Sequence, residues 1–106
     1  MNEILNRLRQ FLDDSDWEQF HNPKDLALAL SIESGELLEE FLWKTPEEAD
    51  TERVRDELAD VFAFAFLLAD SYDFDVKQIV MDKINKNEQK YPVEKARGTA
   101  RKYTDL

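Results

Sequence analysis

Apolar residues recur along most of this chain at the three-and-four spacing of a helix, and strict alternation is rare. From Asn2 to about Asp14, Ile4, Leu5, Leu8, Phe11 and Leu12 share one face, which predicts a short amphipathic helix. Asn22-Pro23 reads as the next start: Asn accepts from orphan amides as N-cap, and proline suits the first helical position. The pattern carries that helix to about Trp43. Thr45-Pro46-Glu47-Glu48 has the form of a capping box and predicts a helix from there to about Ser71. Asp75 with Gln78 opens a last helix, which continues to about Lys90 and stops at Tyr91-Pro92. Its stripe begins apolar with Val76, Ile79 and Val80 and turns polar with Lys83, Asn87 and Lys90. Between the first two helices, Ser15 to Asn22 predicts a loop holding the rings Trp17, Phe20 and His21, where capping the end of a bundle is the plain reading. The expectation is an all-α fold of four-helix-bundle type. Residues 1–92 form one helical domain, and residues 93–106 form a basic arm.

Two departures from ordinary amphipathicity change the picture. Leu58 to Ala69 carries a single charge, Asp60, and is apolar on every side. A helix apolar all round must be buried all round, which a chain of 106 residues offers few neighbours to do; a partner subunit is expected. The second departure is the placement of acids. Glu33 and Glu36 fall on the stripe of Leu26, Ala29, Leu30 and Leu37, while Glu57 and Asp60 fall on that of Val54, Val61, Phe64 and Leu68. Each pair is spaced i, i+3, so both carboxylates leave from one face about a turn apart. A carboxylate in apolar surroundings is costly unless neutralised, paired or bound to a metal. Between Lys24 and Lys44 the chain has no basic residue, so the four acids read as a cation site.

Composition narrows the chemistry. With 24 Asp and Glu against 14 Lys and Arg, the net charge is −10, the reverse of what phosphate neutralisation on a nucleic-acid polymer or an anionic membrane requires. There are no cysteines, which excludes disulfides, thiolate metal sites and cysteine nucleophiles and fits a reducing compartment. The first residues do not resemble a signal peptide, and no apolar run approaches the ~20 residues that span a bilayer; a soluble cytoplasmic protein is expected. Oxygen ligands with nothing softer select Mg²⁺, with Mn²⁺ able to substitute, and Mg²⁺ normally recruits substrate phosphates. The EF-hand pattern of a Ca²⁺ loop is missing, and a di-iron bundle would want Glu-x-x-His pairs. Glu39, Glu47, Glu48 and Glu52 read instead as a solvated helix face. Lys83 and Lys90 can meet outer phosphate oxygens, Asn87 can hydrogen-bond them or a sugar, and Trp17, Phe20, His21 and Trp43 can stack a base.

The two acid pairs, Glu33-x-x-Glu36 and Glu57-x-x-Asp60, resemble the signature of the all-α nucleoside triphosphate pyrophosphohydrolases, the MazG-like group. Trp17-Glu-Gln-Phe-His21, Trp43-Lys44, Lys83-x-x-x-Asn87, Tyr91-Pro92, Ala96-Arg97-Gly98 and Lys102-Tyr103-Thr104 are similar to its dCTP pyrophosphatase branch, from about residue 10 to the C-terminus. The resemblance implies a dimer, or a tetramer built from dimers, and Mg²⁺-dependent cleavage of a nucleoside triphosphate to monophosphate and pyrophosphate. By position it makes Glu33, Glu36, Glu57 and Asp60 the metal ligands. Trp17, His21 and Trp43 then line the base pocket, and Lys83 and Asn87 hold the phosphates. Glu36 and Glu40 are both candidates to take a proton from the attacking water. Phe64 stands where that branch has Tyr, and Leu8 where it can carry His, which bears on base choice. A dUTP or other nucleotide hydrolase of the same superfamily is the alternative enzyme; an acidic helical interaction module is the alternative without catalysis.

Overall fold

Three of the helices begin where a side chain takes over amides that the first turn leaves unpaired. The structure, a computed structural model, describes residues 2–16 and 22–90. Among them lie four α-helices, α1 (Asn2–Ser15), α2 (Pro23–Glu39), α3 (Thr51–Ser71) and α4 (Val76–Lys90), one 3₁₀ turn at Pro46–Glu48, and no strand. Asn22 caps α2 by accepting from the Asp25 N–H at 2.9 Å, with Pro23 behind it. Asp75 caps α4 by accepting from the Gln78 N–H at 2.9 Å. The expected loop aromatics, the stop at Tyr91-Pro92 and the arm at 93–106 lie outside the described residues.

Two expected boundaries move. Helix α2 ends at Glu39 rather than near Trp43. Past that point the bonding tightens to i→i−3, with Phe41 N–H donating to Leu38 O at 2.9 Å, and Trp43 takes a left-handed φ of 63°. Beyond the turn, Pro46 keeps the preceding residue out of the helical region, and Thr45 is extended at φ −76°, ψ 162°. The predicted capping box forms, with Thr45 N–H donating to Glu48 Oε1 at 3.0 Å, yet it opens only the 3₁₀ turn. Ala49 reverts to an extended conformation, and Asp50 caps α3 instead, accepting from the N–H groups of Glu52 at 3.0 Å and Arg53 at 3.3 Å. A carboxylate at an N-cap also faces the positive end of the helix dipole, so the true start lies six residues beyond Thr45.

The chain divides into two compact units between Asp73 and Phe74. In the first, α2 and α3 form an antiparallel hairpin. Arg53 pairs with Glu40 near the turn, and Glu57 meets Glu36 one helical turn further in. Helix α1 lies along α3, tied by a two-pronged contact in which the Arg9 guanidinium donates to both oxygens of Asp70. The buried apolar core of this unit is small: Leu26, Leu67 and Ala69. Phe62 and Phe66 stack with centroids 6.0 Å apart, yet Leu58 remains 40% and Phe62 52% exposed. In the second unit, Val76 is half-buried, whereas Ile79 and Val80 of the expected core stripe are exposed.

Candidate functional site

Antiparallel pairing of two helices that each carry acids at i, i+3 brings the pairs face to face. One carboxylate oxygen from each of Glu33, Glu36 and Glu57 lies within 4.8 Å of the others. Oε2 of Glu33 and Oε2 of Glu57 are buried without a hydrogen-bond partner. Buried polar atoms are otherwise almost always satisfied, so these two need a partner of another kind. Burial first, then the bond and charge of Glu36 and the charges of Asp60 and Glu57, push the Glu33 carboxyl up to about 7. Burial likewise raises Glu57, with Glu36, Asp60 and Glu40 adding repulsion. The cluster must therefore take up protons or take up a cation. Its donors are all carboxylate oxygens, two of them orphaned, and that set fits a hard divalent ion.

Asp60, the fourth expected ligand, is exposed and acts on Glu33 and Glu57 through its charge, but it stands outside the close set of three. It also lines a cavity of about 220 Å³ between α1 and α3, whose other walls are Leu8, Phe11, Leu12, Ala63, Phe64 and Leu67. Phe64 and Leu8 thus border an apolar cavity whose edge is Asp60. Glu39, Glu47, Glu48 and Glu52 are exposed as expected.

Trp43 is 99% exposed at the turn after α2. Lys83, Asn87 and Lys90 are exposed on α4, at i, i+4 and i+7 and hence on one helical face, in the second unit. Trp17, Phe20 and His21 lie outside the described residues. Sequence reading missed the ion pair of Arg53 with Glu40, whose Nε and Oε1 are 3.2 Å apart. A search confined to α2 for a basic partner cannot find one on the next helix. The signal was there all the same: Glu40 continues the Glu33–Glu36 stripe and Arg53 precedes Glu57 by four.

Residues 28–106 match the model of the MazG-like family. Over 113 aligned residues the chain is 42% identical to dCTP pyrophosphatase 1 of Mus musculus, covering 98% of this chain and 66% of that protein. The Homo sapiens dCTP pyrophosphatase 1 is 41% identical, again over 98% of this chain and 66% of its own length. The chain thus spans about two thirds of the length of these curated relatives. Among solved structures, a pyrophosphatase from Archaeoglobus fulgidus superposes with a TM-score of 0.81 at 38% identity, covering 87% of this chain and 92% of that one.

Proposed function

The chain belongs to the MazG-like family, and from that premise we propose that it is a metal-dependent nucleoside triphosphate pyrophosphohydrolase. Its substrate is a (deoxy)nucleoside triphosphate, dCTP or a related pyrimidine nucleotide, cleaved to monophosphate and pyrophosphate. The observation that carries this is the convergence of Glu33, Glu36 and Glu57 with two buried oxygens left unbonded. The ion would be Mg²⁺, held by these three with Asp60 alongside, and Mn²⁺ would be able to replace it.

When bound, the ion supplies neutralisation of triphosphate charge and a more acidic water. The residues of the chain do the rest. Glu33, Glu36, Glu57 and Asp60 would place that ion, and through it the α-phosphate, for in-line attack on phosphorus. The water oxygen bonds to that phosphorus, the α–β bridging P–O bond breaks, and pyrophosphate leaves with the electron pair. Glu36 takes the water's proton, since Glu40 is engaged with Arg53. The family resemblance assigns Lys83, Asn87 and Lys90, on one face of α4, to the phosphate oxygens. The rings of Trp17, Phe20, His21 and Trp43 stack the base, whose edge meets Phe64. Because Leu8 and Phe64 both wall the apolar cavity beside Asp60, base preference is decided there, and dUTP is the second substrate to test. The working unit is a homodimer or a tetramer built from dimers, a reading supported by the exposure of Leu28, Ile32, Leu38, Leu58 and Phe62 on α2 and α3.

Mass analysis of products from a mixture of deoxynucleoside triphosphates, with and without Mg²⁺, tests the reaction. Monophosphate plus pyrophosphate, formed only with the ion, is expected; diphosphate plus orthophosphate would move the cleaved bond and refute the reading. Glu57→Ala should abolish turnover while helix content is kept. Altered assembly with turnover intact would favour a structural role for the acids.

A further inference from the structure

Glu40 is the buried charged residue of the α2–α3 hairpin, 8% exposed, at the C-cap of α2. It continues the stripe of Glu33 and Glu36 one turn further along and so faces α3 beside the acid cluster, close enough for its charge to act on Glu57. Its Oε1 is held at 3.2 Å by the Arg53 Nε, while the Arg53 side chain itself is 70% exposed. An exposed pair of this kind would mean little, but a buried carboxylate deprived of its partner is costly and seeks another. Here the other partner on offer would be the cation one turn away.

Resting on the proposed function above, we propose that Arg53 and Glu40 are a positioning pair for the cation site. Arg53 keeps a further carboxylate out of the ligand set, so that Glu33, Glu36 and Glu57, with Asp60, would hold an ion and leave coordination for phosphate oxygens. The pair also joins the C-terminal end of α2 to the first turn of α3. Freed by loss of Arg53, Glu40 turns toward the ion, adds a negative charge to its surroundings and occupies a position that substrate needs. The two effects are separable: the ion binds more tightly, and turnover falls.

The test is Mn²⁺ titration into the full chain without nucleotide, followed by electron paramagnetic resonance, together with kcat and KM for pyrophosphate release. The variants are Arg53→Gln, Glu40→Gln and the double variant. Arg53→Gln should bind Mn²⁺ at least about threefold more tightly and lose kcat by a similar factor, from one more charge near a divalent ion. Glu40→Gln should bind it at least about threefold more weakly, leaving Arg53 as an uncompensated positive charge. The double variant should return to within about twofold of the wild type, since without the Glu40 carboxylate the loss of Arg53 frees nothing, the coupling expected of residues in contact. Lowered melting temperatures with unmoved Mn²⁺ affinities would show a structural clamp and overturn the proposal. Should Arg53→Gln fail to fold, Glu40→Gln decides: weakened binding supports the pair, and unchanged binding sinks it. A wild-type chain that binds Mn²⁺ and releases pyrophosphate while the variants bind like it refutes only the pair. A wild-type chain that does neither removes the proposed function as well.

Discussion

Glu33 is half-buried on α2 with its carboxyl raised to about 7 by burial and by its acidic neighbours, and this has a consequence for stability. In the unfolded chain the same group titrates in the ordinary carboxylate range, about 4.3. A pKa raised by folding means that the folded state binds the extra proton between those values. Its stabilising share is complete below the unfolded pKa and is lost as pH rises through the folded one. The metal-free protein should therefore lose thermal stability from about pH 5 to pH 8, where many proteins are near their best. Added Mg²⁺ should restore it most at the alkaline end, because it binds the deprotonated ligands. Glu33→Gln should flatten that slope and stabilise the metal-free protein at pH 8 by on the order of 1 kcal/mol, a value discounted for an open site. Differential scanning calorimetry across pH, with and without Mg²⁺, checks both, and a flat metal-free profile would remove the argument.

For the helices, the caps rank the two candidate starts of α3. Asp50 accepts from two amides of that helix, whereas Thr45 and Glu48 close only a 3₁₀ turn. Asp50→Ala should cost about 1 kcal/mol, the usual worth of an N-cap, and Thr45→Ala only a few tenths. Urea unfolding of the two variants distinguishes them, and equal losses would mean that the turn and the helix melt as one. Gly35 sits inside α2, between the acids, where an added Cβ would meet nothing within 4 Å. A helical glycine in open space is a liability of about 0.5–1 kcal/mol relative to alanine. Gly35→Ala should accordingly raise the melting temperature by a few degrees. A loss instead would place another chain's backbone against that side of α2.

Across the whole molecule, the few buried apolar residues of the α1–α3 unit, Leu26, Leu67 and Ala69, contrast with the large apolar side chains on its surface, among them Ile32 at 62% and Phe62 at 52% exposure. Exposed apolar surface of that kind marks interaction sites. Sedimentation should give at least twice the mass of one chain, and Phe62→Asp should shift the distribution toward the monomer. An unchanged distribution would exempt that face of α3 from the contact. Among the described residues, no helix is long and apolar enough to cross a membrane.

Much of this was legible in the order of residues, because helical period, N-cap chemistry and the placement of an acid on an apolar stripe are local properties. Asn22-Pro23, Asp75-x-x-Gln78 and the two acid pairs are read without knowing what lies opposite them. The end of α2 was not, since it depended on Trp43 taking a left-handed turn ahead of Thr45-Pro46, nor was the choice of Asp50 over Thr45, which two competing caps decide in three dimensions. The register between α2 and α3 was likewise beyond any single stretch. That register sets Glu33 and Glu36 against Glu57, leaves Asp60 at the edge beside the apolar cavity, and gives Glu40 to Arg53. A carboxylate's neighbours along one helix are fixed by its period. Its neighbours across the hairpin exist only once the two helices have packed, and it is they that turn scattered acids into a site.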